Sequence, residues 1–354
     1  ALHYAASQGN LEIVRLLLSS GAKLDSEDIV EMTPLLCAAK NGHVEVLDFL
    51  SDVGANLCQR TWNSDGVLQL AALEGHVPVI KYLVAAGADI NAREKQWKGT
   101  APLAIAAYKN HKQAVAAIIR LGANLKNKES LIDYDNEGTA LHYAAVRGNH
   151  EICELLVTLG ACINSTDSIG DYPLTWAAGA GNTKTVKTLL SLLKTDSLKK
   201  QLGQALVRAS MCDSQECMSI LLDMGADVST RYHDNATALH YAPTPMLAKQ
   251  LLSKGAPVDA RTAAGDTPLN MVTDPLILRL LLSAGADPNI KNNRGQTPLR
   301  NIVDIGSLEA LKVLLTFGAD PLIKDKEGFS PLKLAKIHQK HEFYRLLLRA
   351  ANGR

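Results

Sequence analysis

Apolar and polar positions along the chain follow a two-part cadence. A short apolar run carrying paired alanines, as in Leu2-His3-Tyr4-Ala5-Ala6, is followed by Gly9 and then by a longer Ile-Val-x-Leu-Leu stripe over Leu11 to Ser19 that closes on Gly21-Ala22. Apolar positions three and four apart predict helices, so each cadence is read as two antiparallel helices joined at a glycine. Aligned on the leucine of the first run, equivalents stand at Leu35, Leu68, Leu103, Leu141, Leu174, Leu206, Leu239, Leu269, Leu299 and Leu332. The steps between them are 33, 33, 35, 38, 33, 32, 33, 30, 30 and 33 residues. A fixed period of this size marks a stacked array. One helix pair cannot bury both of its apolar faces alone, so the neighbouring copies must supply the core.

The punctuation agrees with that reading. Thr33-Pro34, Thr267-Pro268 and Thr297-Pro298 open first helices, because Thr caps free amides and Pro is tolerated in the first turn, where no N–H bond is needed. Paired alanines at Ala38-Ala39, Ala71-Ala72, Ala106-Ala107, Ala144-Ala145 and Ala177-Ala178 let the helices of adjacent copies approach closely. Gly9, Gly42, Gly75, Gly148, Gly181 and Gly306 fall seven residues after the anchor leucine, where a left-handed turn must separate the two helices.

Gly-Ala follows nineteen residues after the anchor in Gly54-Ala55, Gly87-Ala88, Gly122-Ala123, Gly160-Ala161 and Gly318-Ala319, and the pairs at Gly225, Gly255 and Gly285 extend the series. Together with the Thr-Ala-Leu-His-Tyr-Ala motifs of Thr139 to Ala144 and Thr237 to Ala242, this pattern closely resembles the ankyrin-repeat family over essentially the whole chain. The resemblance implies an all-α fold, an α-solenoid of stacked helix-turn-helix units with β-hairpin tips, filling residues 1–354 with about eleven copies. It implies a module that binds protein partners. It also implies that His3, His142 and His240 are hydrogen-bonding struts between helix and hairpin, and that Asn91, Asn164 and Asn289 resemble asparaginyl-hydroxylation sites of the family, although structural hairpin bonding explains them equally well.

Several copies depart from the pattern. The first begins at Ala1 without an opening hairpin, so the chain is expected to be a fragment. Copy six lacks Gly-Ala and runs into Lys194 to Gln201, where a longer helix or an elbow is expected to divide 1–194 from 202–354. Copies eight and nine are three residues short between their helices, and Pro245 and Pro275 are expected to start the second helix while the stack continues. Lys333 to Arg349, with Phe343, Leu346 and Leu347 as its apolar stripe, suits a capping helix.

Composition narrows the function. Hydrophobic residues make up 47% and aromatics only 5%, which favours closely packed helices over a β-sandwich. Lys plus Arg (37) balance Asp plus Glu (36), so the global basic charge of a nucleic-acid binder is lacking. Six cysteines form no CxxC or zinc-type spacing, and Cys37, Cys153 and Cys217 fall in helical apolar patterns as small hydrophobes. Neither metal nor cofactor is expected. No run of 18 apolar residues exists, and membrane insertion is not expected. A reduced compartment fits: the cytoplasm, the nucleus, or a host cytosol if the source is a pathogen. Gly179 to Thr185 shares glycines, Lys and Thr with a phosphate loop but lacks the full spacing and the preceding strand. No His, carboxylate or nucleophile leaves the repeat register in a cluster, so no catalytic residue is assigned and the chain is not read as an enzyme.

Binding residues should be those that the repeat itself does not need. Six residues before the anchor, at a hairpin tip, stand Trp62 in copy three and Trp97 in copy four, and the longer step before copy five inserts Glu129 to Tyr134. After the paired alanines come Leu73 and Glu74, Tyr108 and Lys109, and Val146 and Arg147, on first helices that face the same groove. Trp, Tyr and Arg are the side chains that most often carry interface energy. These residues form the candidate surface, Tyr134 included, for a protein or peptide partner held across copies three to six by a monomeric solenoid. A second reading makes the chain the recognition arm of a larger protein, such as a ubiquitin ligase adaptor, a channel, a kinase or a pathogen effector. A weaker third has Trp62 and Trp97 stacking on a nucleotide or small ligand, with Arg60, Arg93, Lys95 and Lys98 on its phosphates. Trp176 takes the place of Tyr4, Tyr143 and Tyr241 in its copy and is expected in the core.

Overall fold

The computed structural model describes residues 1–58, 61, 66–92, 100–131 and 134–353, and only the backbone of residues 131, 134, 135 and 195–197. Among the described residues the chain folds into eleven helix pairs, the first helix of copy eight being 3₁₀. Contacts group the chain into two compact units, Ala1–Ala177 with Lys184–Leu193 and Ala178–Thr183 with Lys194–Arg354.

In the first unit, first helices stack on first helices in the order Leu2–Ser7, Pro34–Asn41, Val67–Glu74, Pro102–Tyr108 and Ala140–Val146. The second helices Leu11–Ser19, Val44–Asp52, Val77–Ala85, Lys112–Arg120 and His150–Thr158 form the parallel layer. The paired alanines are buried at the contacts between first helices, where a larger side chain would push the layers apart. Local chemistry sets the boundaries as the residues require. Thr33 Oγ1 accepts from the Leu36 amide with Pro34 at the helix start, and Gly42 closes that helix at φ 83°. In copy four the same left-handed position is filled by Asn110 at φ 68°.

Gly42 has a second duty that spacing alone does not reveal. A Cβ there would lie 2.7 Å from the ring of His76 in the next copy. That ring bonds through Nε2 to the Lys40 carbonyl at 2.8 Å. His43 reaches Ser7 O and His111 reaches Leu73 O in the same way, at 2.9 and 2.8 Å, and in copy five Asn149 Nδ2 donates to Ala107 O at 2.8 Å. A ladder of side chains thus ties these four interhelical turns to carbonyls at the end of the preceding first helix, where a helix end leaves acceptor capacity to fill.

Tips among the described residues form closed turns. The amides of Asp28, Asp167, Thr262, Asn292 and Asp325 donate to the carbonyls of Met32, Asp171, Asp266, Gln296 and Phe329. Where the spacing lengthens to 38 residues, the tip grows into an antiparallel hairpin of Glu129–Leu131 and Tyr134–Gly138, pairing Glu129 with Gly138 and Leu131 with Tyr134. This hairpin is held back onto copy four. The Glu129 carboxylate accepts from the Ala101 amide at 2.7 Å and Thr100 Oγ1 donates to Ser130 O at 2.9 Å. Asn91 and Asn289 link successive tips: their Oδ1 atoms accept from the Asn124 and Asp320 amides at 2.7 and 2.8 Å.

The second unit contains the 17-residue helix Thr195–Met211, in the stretch where a longer helix or an elbow was expected. It packs on Gln215–Asp223 and on the 3₁₀ turn Ala238–Tyr241. The stack continues through Pro268–Met271, Pro298–Ile305 and Pro331–Ile337, with Pro245–Ser253, Pro275–Ser283, Leu308–Thr316 and His341–Asn352 as its second layer. The missing residues of copies eight and nine come out of the first helix, which shrinks to one turn in each, while Pro245 and Pro275 open second helices of full length. Thr244 and Asp274 cap these helices by accepting from the Leu247 and from the Leu276 and Ile277 amides. Phe343 and Leu347 are buried in the last helix.

Candidate functional site

Three consecutive first helices bring aromatic rings into one row. Tyr143 stands edge-on to Tyr108 at 6.5 Å and to Trp176 at 5.4 Å. Tyr143 is fully buried and donates its hydroxyl to the Glu129 carbonyl, so the inserted hairpin locks the middle of the row. At one end Trp176 is buried, as expected, and its Nε1 donates to Asp167 Oδ2 at 2.8 Å. At the other end Tyr108 is half-buried, with the Arg147 guanidinium 4.8 Å from its ring centre and the Lys109 ammonium at 5.8 Å. Cations over an aromatic face gain from the ring quadrupole.

The structure therefore brings together Tyr108, Lys109 and Arg147. Lys109 and Arg147 are exposed, and Val146 beside Arg147 is half-buried. Leu73 and Glu74 occupy the matching end of helix Val67–Glu74, Leu73 half-buried with its carbonyl taken by His111 and Glu74 exposed. Tyr134 lies in the inserted strand, paired with Leu131, and its side chain falls outside the described residues. Trp62 and Trp97, and with them Arg60, Arg93, Lys95 and Lys98, also lie outside the described residues.

The buried polar groups of this region are structural. His142 Nδ1 lies 3.1 Å from the Thr139 amide nitrogen, which can only donate, so the proton sits on Nε2 and is given to the Asp171 carbonyl at 3.0 Å. Burial holds this imidazole neutral, lowering its pKa to about 4. His240 repeats the arrangement with Thr237 and the Ala260 carbonyl, and His3 Nε2 bonds Met32 O at 2.8 Å. The three histidines are struts. Burial likewise raises the thiols of Cys37 to about 11 and Cys153 to about 12, so both stay protonated at neutral pH and serve as small apolar groups. All six cysteines are free, and among the described residues no three His, Cys, Asp or Glu side chains stand together as a metal site. Among them, too, no helix is long and apolar enough to cross a membrane.

The histidine ladder of the interhelical turns is a feature that the repeat pattern alone did not point to. Its signal was present, as a His after the turn residue in Gly42-His43, Gly75-His76 and Asn110-His111. A second such feature is the exposed pair Met246 and Leu276 on the outer layer of copies eight and nine.

Comparison with known proteins matches the same architecture. The model of ankyrin repeats in three copies matches residues 2–94, 68–167, 164–232 and 271–353. An ankyrin repeat protein of fowlpox virus is 30% identical over 102 residues, 29% of this chain and 18% of that protein. The nuclear factor NF-kappa-B p105 subunit of Gallus gallus is 29% identical over 139 residues, 37% of this chain and 14% of its own length. The E3 ubiquitin-protein ligase KEG of Arabidopsis thaliana is 30% identical over 127 residues, 34% of this chain and 8% of the ligase. The matches thus span less than a fifth of each of these relatives. Among solved structures, the human ASB11 ankyrin repeat domain superposes with a TM-score of 0.50 at 22% identity, covering 72% of this chain and 98% of that domain, a likeness of fold. With the family model matched over most of its length and eleven helix pairs in register, the chain belongs to the ankyrin-repeat family.

Proposed function

We propose that the chain binds a partner protein or peptide on the first-helix and tip surface of copies three to five, and that it does so without catalysis. Ankyrin repeats are in general protein-interaction modules, which makes the question one of place. The observation that carries the proposal is the Tyr108, Lys109 and Arg147 cluster, a half-buried ring under two exposed cations at a position where the repeat asks for no particular side chain. Arg147 offers its fork of donors and Tyr108 a preorganised apolar face, a combination common among residues that carry interface energy. Leu73, Glu74, Val146 and Tyr134 would flank it, and Trp62 and Trp97 would stand at the tips of copies three and four by their sequence register.

The test is affinity capture from a lysate by the wild-type chain and by Tyr108→Ala/Arg147→Glu, with Lys81→Glu on the outer helix layer as control. Partners lost with the double variant and kept with the control support this surface. An unchanged set of captured proteins sinks it.

A second reading adds to the first: the chain serves as the recognition arm of a larger protein whose activity lies elsewhere. It is supported by the relatives, which are all much longer than the matched segment and include a ubiquitin ligase. A full-length transcript that encodes no further domain would remove it.

A further inference from the structure

The outer layer of copies eight and nine carries an apolar groove unrelated to the surface proposed above. It lies between the parallel helices Pro245–Ser253 and Pro275–Ser283 and encloses about 510 Å³. Pro245, Met246, Leu276 and Leu280 give it an apolar floor, and Lys249 and Arg279 stand beside them; no acidic residue lines it. Met246 is 60% and Leu276 61% exposed.

The repeat register shows what these residues replace. The second residue of the second helix is Glu12, Glu45, Glu151, Glu216, Glu309 or Glu342 in six copies. There a carboxylate offsets the positive end of the helix dipole and keeps the site hydrated. Copies eight and nine give up that carboxylate for Met and Leu, side by side, and expose them to water. Both side chains stand largely in water, outside the buried core of the stack. Lys249 and Arg279 also lack an ion-pair partner among the described residues. The groove lining is therefore apolar in the middle and cationic at its sides, and the one carboxylate nearby, Asp274 at the start of Pro275–Ser283, is taken up by the Leu276 and Ile277 amides.

We propose that this groove docks an acidic amphipathic helix of a partner protein. Two parallel helices present a furrow into which a third helix fits by ridges-into-grooves packing. Such a ligand would set apolar residues at i, i+3 or i+4 and i+7 on Met246, Leu276 and Leu280. Its flanking Glu or Asp side chains would meet Lys249 and Arg279, and charge complementarity sets the sign of the partner.

The probe is a fluorescein-labelled helical peptide with a Leu stripe at that spacing and Glu on both flanks, measured by anisotropy against the whole chain. Its comparator carries Lys in place of Glu. The acidic peptide binds, weakens with added salt, and loses roughly tenfold or more in affinity on Met246→Glu/Leu276→Glu. That variant restores the acid of six other copies and so should leave the circular dichroism melt unchanged. Lys249→Glu/Arg279→Glu, as a second variant, shifts preference to the basic peptide. Equal binding of the two peptides, indifference to both variants, or no binding of the acidic peptide overturns the proposal. So does light scattering that shows a dimer dispersed by Met246→Glu/Leu276→Glu, because the occupant would then be a second copy of the chain.

Discussion

Trp176 Nε1 donates to Asp167 Oδ2 at 2.8 Å, across the nine residues that join the tip of copy six to its first helix. The other carboxylate oxygen of Asp167 accepts from the Ile169 and Asp171 amides at 2.9 and 2.8 Å. One buried carboxylate thus shapes the tip and fixes the indole that ends the aromatic row. Trp176→Phe keeps most of the ring but leaves Asp167 Oδ2 without its donor. The expected cost is about 1–3 kcal/mol, the desolvation penalty of a buried acceptor left unmade. Urea denaturation followed by circular dichroism reads it, and a loss below a few tenths would show that the bond is dispensable.

His142 makes the first unit sensitive to acid. Its folded pKa of about 4 lies below the ordinary 6.5, so the folded state binds its proton less readily than the unfolded chain. The contribution is complete above about pH 6.5 and is lost as pH falls from there toward 4, roughly 2 kcal/mol between pH 7 and 5. In copy nine Asn270 forms the same cap on Thr267 without a titrating group. His142→Asn is therefore expected to lower stability at pH 7 through lost packing but to flatten its dependence on pH. An unchanged slope between pH 7 and 5 would remove His142 as the cause.

Two glycines with similar backbones separate conformation from crowding. Gly42 and Gly54 both lie at positive φ, 83° and 96°, but a Cβ on Gly54 meets nothing within 4 Å while one on Gly42 meets the His76 ring. Gly54→Ala should cost about 1–2 kcal/mol, the left-handed penalty alone. Gly42→Ala should cost clearly more and should also break the bond from His76 to Lys40 O. Equal losses in thermal melts would show that the ladder of turn histidines yields freely.

For the proposed partner surface, Trp62→Ala/Trp97→Ala is expected to change stability by no more than about 1 kcal/mol, while partner capture falls. A larger loss of stability would identify the two tryptophans as local packing. Unchanged capture would leave the cluster at Tyr108 without its tip contacts.

The register of the chain is legible in its residues because the signals are local. A Thr-Pro cap, a left-handed glycine and a stripe at helical spacing each act within one or two turns of backbone, so eleven copies announce eleven helix pairs. The same register places Trp176 in the core, whereas the strut role of His3, His142 and His240 comes from the family resemblance. Contacts between copies are not legible, because they depend on how far each copy rises and rotates over the last. Spacing along the chain carries no record of that. It does not say that Arg147 lies over the ring of Tyr108, that His76 fills the space above Gly42, or that the Met246 and Leu276 of two shortened copies meet in one groove. The sequence by itself determined which residues the stack must bury, since one copy cannot hide its own apolar faces. Only the tertiary structure decided which of the remaining side chains stand close enough to act together.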